Sequence, residues 1–170
     1  MTQQDHSSST IGIQLRPVVA SDLPVLFEHQ REPEANAMAA FPARGRDAFM
    51  AHWAKILGNE SLVAMAVLVD GCVAGHVDCW PQDGQRLVGY WIGKEYWGKG
   101  VATQMLSLFL RLIAHRPLHA HVAKQNVASI RVLEKCGFVH CEKSTAALGS
   151  PADGVEELVY AIDSHSLGAE

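Results

Sequence analysis

Apolar and polar residues alternate through "IGIQLRPV" (residues 11–18), which predicts an opening strand. Ser21-Asp22 offers a helix start before "LPVLFEHQ". Pro33 and Pro42 punctuate "REPEANAMAAFPARG", which reads as a loop. Phe49, Trp53 and Ile56 recur at helical spacing and predict a second helix. "SLVAMAVLV", Asp70-Gly71 and "CVAGHVDCW" form a hairpin signal, since Asp-Gly readily takes the positive φ values of a type I′ turn. A further strand, "RLVGYWIG", follows Pro81 and "QDGQ". From Val101 the apolar positions Met105, Leu108 and Leu112, flanked by Ala102, Leu106, Phe109 and Ile113, make a wide helical stripe that Pro117 ends. "LHAHVAK" reads as a strand and "NVASIRVLEKC" as a helix capped by Gly137. "FVHCEKST" and "EELVYAI" read as two last strands around the polar loop "AALGSPADG".

Three successive strands argue for antiparallel pairing, and the strand–helix–strand unit around Val101 for one parallel pair. The expected architecture is α/β (α+β): a mixed, mostly antiparallel sheet of about seven strands with about four helices on both faces. The chain has 170 residues, enough for one domain with a proper core. We expect that domain over residues 11–163, between flexible tails at 1–10 and 164–170. The net charge of −4 gives no general pull toward nucleic acid or anionic membrane. No apolar run approaches the roughly 20 residues of a membrane helix, and "MTQQDHSSST" lacks a signal peptide's apolar core. Cys72, Cys79, Cys136 and Cys141 show no CxxC pairing, which suits reduced thiols in a cytoplasmic protein.

The candidate chemistry starts at "GYWIGKEYWGKGVATQML". Gly93 and Gly98-Lys99 resemble a nucleotide P-loop, but Gly100 stands where a magnesium-binding hydroxyl is needed. Tyr96 and Trp97 are also bulky for such a loop, and no acidic strand end offers a second magnesium ligand. Phosphate binding without metal survives this objection. Gly98, Gly100 and Ala102 would let a ligand approach the backbone, and the helix starting near Val101 presents unpaired N–H groups. Thr103 adds a hydroxyl in the first turn. The competing reading is a tight turn into a helix and nothing more.

A second stretch, "NVASIRVLEKCGF", sets Asn126 and Ser129 three apart on one helix face, although either alone reads as a capping residue. Together the stretches resemble the GNAT superfamily of acyl-CoA-dependent N-acetyltransferases, whose pyrophosphate loop is written Q/R-x-x-G-x-G/A. "WGKGVA" supplies Gly100 and Ala102, with Trp97 in the Gln/Arg position. "YWGKG" and "N-x-x-S" followed by "EKCGF" look like the branch containing ribosomal-protein N-terminal acetyltransferases. The resemblance implies transfer of an acetyl group from acetyl-CoA to a primary amine of a small molecule or peptide N-terminus, by direct attack in a ternary complex. It implies a gap between two parallel strands that takes the pantetheine arm. Trp91 and Ile92 would lie near the acetyl group, with backbone N–H groups polarising the thioester carbonyl. The backbone of Gly98, Lys99, Gly100, Val101, Ala102 and Thr103 would hold the pyrophosphate. Asn126 would bond the pantetheine arm, and Ser129 would lie near the sulfur and protonate the departing thiolate. Some relatives carry a tyrosine four residues beyond the serine; here Leu133 stands there. The resemblance would also let Lys135 face the CoA phosphates, but an exposed helix lysine needs no such explanation.

No motif marks the base that deprotonates the amine. His76 with Asp78, and His119 with His121, each project to one side of a strand and would line the acceptor cleft. No third ligand accompanies the His-x-His pair, so no metal is expected. Glu28, Glu32 and Glu34 would add negative charge near the acceptor, and Glu95 reads as solvated. The expected partners are acetyl-CoA and an amine acceptor, with no nucleic acid and no membrane, in a monomer or homodimer. The alternatives are a CoA-binding module without transfer activity and a nucleotide-binding protein.

Overall fold

The computed structural model describes residues 11–142 and 155–164. Seven strands form one sheet in the order β1-β2-β3-β4-β5-β7-β6. They are β1 (Ile13–Pro17), β2 (Val63–Val69), β3 (Cys72–Gln82), β4 (Gln85–Ile92), β5 (Leu118–Ala123), β6 (Val139–His140) and β7 (Glu157–Ile162). The helices are α1 (Leu23–Gln30), α2 (Pro33–Ala39), α3 (Arg46–Leu57), α4 (Val101–Leu112) and α5 (Val127–Lys135). Both turns joining β2 to β4 carry an Asp-Gly pair at positive φ: Asp70 (48°) with Gly71 (84°), and Asp83 (49°) with Gly84 (78°). These values match the twist of the flanking strands, so β2, β3 and β4 pair antiparallel in sequence order.

All neighbouring strands are antiparallel except β4 and β5, which are parallel and share a single paired position, Leu87 with His119. Leu87 lies near the start of β4 and His119 near the start of β5. The two strands therefore leave the ladder together and run unpaired toward their C-terminal ends, giving the expected splayed gap.

Helices cover both faces. Val101, Met105, Leu106 and Phe109 of α4 and Leu133 of α5 pack with Val77, Val88, Ile92 and Leu118 on one face. Leu26 and Phe27 of α1 and Phe49 and Trp53 of α3 pack with Ala66 on the other. The α4 stripe is rotated from its expected axis, since Leu112 is 58 % exposed.

Two expectations need correction. The stretch around Pro33 is the helix α2, not a loop. Pro33 occupies the first helical turn, where its missing N–H forfeits no helical bond, and Ala40 in the left-handed region (φ 51°) ends the helix. Asp22 stands at the N-cap position of α1, where a helix start was expected, but its side chain makes no capping bond. Its carboxylate accepts from the Val19 N–H (2.9 Å) and from both terminal nitrogens of Arg16 (2.7 and 2.8 Å). The strand expected from Phe138 reduces, among the described residues, to Val139–His140. The polar loop at 146–154 lies outside the described residues, as do both tails except Ser164. No helix among the described residues is long and apolar enough to cross a membrane.

Candidate active site

The mouth of the gap is built from the turn between β4 and α4. Gly98 and Gly100 both sit at positive φ (72° and 75°), a conformation that L side chains disfavour. A Cβ added at either would meet no heavy atom within 4 Å, so the glycines answer to backbone shape and leave open space beside the main chain. Gly100 caps α4 with no side-chain bond. Among the described residues, none of the N–H groups from Gly98 to Thr103 donates to a protein acceptor. Lys99 is exposed, and Thr103 is half-buried in the first turn of α4.

Trp97 explains how the loop is held. Its indole Nε1 donates to the Ile92 carbonyl at the end of β4 (2.9 Å), tying the loop back to the strand that precedes it. The sequence marked Trp97 only as a departure from the glutamine or arginine of the resembled motif.

Strand geometry separates the two residues expected at the acetyl group. The Gly93 N–H bonds to the Ala74 carbonyl on β3 (2.8 Å). Main-chain groups alternate sides along a strand, so the Ile92 N–H points away from β3, into the gap. The Trp91 N–H points toward its β3 partner His76. Of the two, only Ile92 therefore offers a main-chain donor to the gap, which corrects the expectation for Trp91. The Trp91 indole instead donates to the His29 carbonyl on α1 (3.1 Å).

The opposite wall is the start of α5. The Asn126 side-chain oxygen accepts from the Ser129 N–H (3.2 Å), so Asn126 caps the helix and keeps its amide NH₂ for another acceptor. The Ser129 hydroxyl lies 2.7 Å from the hydroxyl of Tyr90, which reaches across from β4. Burial pushes the Tyr90 phenol up to about 12, against the opposing effect of its bond to Ser129. Tyr90 thus stays protonated and can donate to the Ser129 oxygen, leaving the serine's own hydrogen for a third atom. Leu133 is buried in the core beneath α5. Tyr90 was missed in the sequence, although period-two counting puts it on the same face as Val88 and Ile92, where a buried phenol needs a partner.

On the other face, His76 Nδ1 lies 2.9 Å from an Asp78 carboxylate oxygen. His29 is 8 % exposed and presses on the main chain at Gly93, where an added Cβ would lie 2.7 Å from the imidazole. Burial lowers the proton affinity of His29, opposed by Glu95 3.5 Å from its Nε2. A cleft of about 370 Å³ opens here, with Glu28, Glu32, Glu95, His29 and Lys94 on its walls. Lys94 pairs with Glu34 (2.7 Å) and Glu32 (3.3 Å), and Glu28 pairs with Arg31 (3.1 Å). Among the described residues, neither ring nitrogen of His121 has a hydrogen-bond partner, and Nδ1 sits 3.6 Å from Glu157. No group of three or more His, Cys, Asp or Glu able to hold a metal occurs among the described residues.

Comparison with known proteins places these features in context. The family described as "Acetyltransferase (GNAT) domain" matches residues 13–139. No curated protein sequence matches the chain. The fold is similar to a spermidine N-acetyltransferase from Vibrio cholerae solved with CoA and spermine, at 17% identity, 91% of this chain, 96% of that one and a TM-score of 0.73. It is similar to an aminoglycoside acetyltransferase solved with coenzyme A and kanamycin, at 17% identity, 92% and 97% coverage and a TM-score of 0.75. A domain from Methanocaldococcus jannaschii aligns at 20% identity, 91% and 99% coverage and a TM-score of 0.71.

Proposed function

Because this chain belongs to the GNAT acetyltransferase domain family, we propose that it moves an acetyl group from acetyl-CoA to a primary amine by direct attack in a ternary complex. The observation that carries this reading is the row of unengaged N–H groups at Gly98 to Thr103 beside a strand gap paired at only one position. The N–H row suits a diphosphate, and the gap suits an extended arm that bonds to exposed strand edges. Residues 11–163 carry the activity as one domain.

The roles follow from position. Main-chain groups of Gly98, Lys99, Gly100, Val101, Ala102 and Thr103 hold the pyrophosphate. The Asn126 amide bonds the pantetheine arm, and Trp91 and Ile92 wall the acetyl group. The Ile92 N–H stabilises negative charge on the thioester oxygen as the amine adds. Carbon–nitrogen bond formation is followed by carbon–sulfur cleavage, with the electron pair leaving on sulfur. Ser129 donates its hydroxyl proton to that sulfur and recovers one from the amine nitrogen, directly or through water. Tyr90 positions Ser129 for this. The acceptor is a small molecule or a peptide N-terminus, and the carboxylates of Glu28, Glu32 and Glu95 favour one that carries positive charge. The Trp97 loop supports a place near the ribosomal-protein branch.

Two measurements test the reading. CoA should raise the melting temperature, because a ligand selective for the folded state must stabilise it. Acetyl-CoA should then release free thiol with at least one of spermine, kanamycin or an alanyl tripeptide. Absence of any CoA-induced shift refutes the loop assignment. A shift without thiol release on any of the three amines refutes the transfer assignment.

A further inference from the structure

Resting on the acetyl-transfer reading above, we propose that His76, oriented by Asp78, is the general base that takes the proton from the incoming ammonium group.

The ring is held at two sides. Its Nδ1 lies 2.9 Å from the Asp78 carboxylate, and the Trp53 indole packs against it edge to face at 4.9 Å between centroids. Both His76 and Asp78 are 14 % exposed at the side chain, so neither is free to swing. A carboxylate accepts only, so Nδ1 carries the hydrogen and donates it. Nε2 is thereby left with the lone pair, and among the described residues it makes no hydrogen bond. This is the arrangement a base needs: one nitrogen fixed by an orienting group, the other open.

Position on the sheet supplies the second argument. His76 pairs with Trp91, and the next position, Gly75, pairs with Ile92, whose N–H faces the gap. The imidazole therefore projects one strand away from the reacting end of the wall, on the face covered by α1 and α3. On its other side the partner is Ala66, and Asp78 is flanked by Ala64 and Gly89. Trp91 across the ladder and Trp53 above wall the imidazole, and Trp80 lies over Gly89 beside Asp78. The titratable groups that act on it from the covering helices are His29 of α1 and His52 of α3, and Arg44 and Lys55 act on His52 in turn. Burial lowers the proton affinity of both of these histidines.

The rivals lack this geometry. Among the described histidines, only His76 has a ring nitrogen hydrogen-bonded to a carboxylate. His29 stands 3.5 Å from Glu95 and His121 3.6 Å from Glu157, both without a hydrogen bond to it. The step balances simply. One ammonium proton moves to His76 Nε2, the freed lone pair forms the carbon–nitrogen bond, a second nitrogen proton replaces the one Ser129 gives to sulfur, and His76 returns its proton to solvent.

Two experiments decide. Long-range proton–nitrogen NMR of the wild-type imidazoles at pH 8, with the His76 signals assigned by their loss in His76→Gln, should show the His76 hydrogen on Nδ1. A hydrogen on Nε2 overturns the proposal, whatever the acceptor proves to be. In the thiol-release assay, His76→Gln should lower kcat/KM by about a hundredfold or more near neutral pH. The deficit should shrink as rising pH deprotonates the amine without help, while the CoA-induced melting shift is kept. Asp78→Asn should show a smaller loss with the same pH trend. An unchanged rate, or a loss equal at every pH, overturns the base assignment. Failure of the wild type to release thiol would instead sink the transfer reading, and the NMR result would still decide the orientation of the ring.

Discussion

Gly100→Asp probes the pyrophosphate loop most directly. Gly100 sits at φ 75° with no heavy atom within 4 Å of an added Cβ, so the substitution produces no clash in the free protein. Its first effect is conformational, about 1–2 kcal/mol for a side chain held in the left-handed region, and smaller for aspartate than for most residues. Its second effect falls on the ligand. A carboxylate about 5 Å from a diphosphate meets roughly two negative charges, and at the permittivity of water each repulsion is about 0.8 kcal/mol. The sum, about 1.6 kcal/mol, is a lower bound because the loop is only partly hydrated once a ligand covers it; it corresponds to about a fifteenfold rise in Kd. Gly100→Ala carries the conformational effect without the charge and separates the two. Isothermal titration with CoA at low and high salt is the assay. Gly100→Asp should bind at least tenfold more weakly than Gly100→Ala at low salt, and the difference should narrow as salt screens the charges. A folded Gly100→Asp protein with wild-type CoA affinity would refute the loop as the phosphate site.

Two further perturbations report on other parts of the argument. Tyr90→Phe removes the 2.7 Å contact with Ser129 and should lower stability by about 1 kcal/mol and turnover about tenfold, with CoA affinity kept. Additive turnover losses in the Tyr90→Phe/Ser129→Ala double variant would show that the two hydroxyls do not act together. Asp22→Asn tests the ion pair under β1. Arg16 holds the Asp22 carboxyl below its ordinary range, so the stability it contributes is present above the unfolded value near 3.9 and is lost as pH falls through the folded one. The gap in melting temperature between wild type and Asp22→Asn should therefore be constant from neutral pH to about pH 4 and close below it. A gap undiminished at the lowest pH where both proteins still fold would refute this.

Much of the architecture is legible because it is local. Asp70-Gly71 states its turn within two residues, and the strands on either side alternate plainly. The α4 segment shows its stripe within one helix length, although the buried side is set by the sheet below, which is why Leu112 faces solvent. The α2 segment misled because Pro33 reads as punctuation when seen alone, yet a proline in the first turn of a helix is no obstacle. The site divides in the same way. Gly98, Gly100 and Asn126 stand inside short motifs and carry their own backbone logic. Tyr90 meets Ser129 across 39 residues of sequence, and His29 presses on Gly93 from another element. No local pattern encodes such meetings, because they depend on how β4 is placed against α5 and α1. The His76–Asp78 spacing was visible, but only the described geometry distinguishes it from the similar His119 and His121.

The single rung between Leu87 and His119 divides the sheet into two blocks. Strands β1 to β4 satisfy one another, and so do β5, β6 and β7. A small change of angle between the blocks breaks no ladder bond. The width of the slot is therefore governed by side chains that span it, such as the Tyr90–Ser129 bridge and the α4 residues wedged beneath both halves. Exchanging those wedges is a route to a narrower or wider slot that leaves the backbone scaffold untouched.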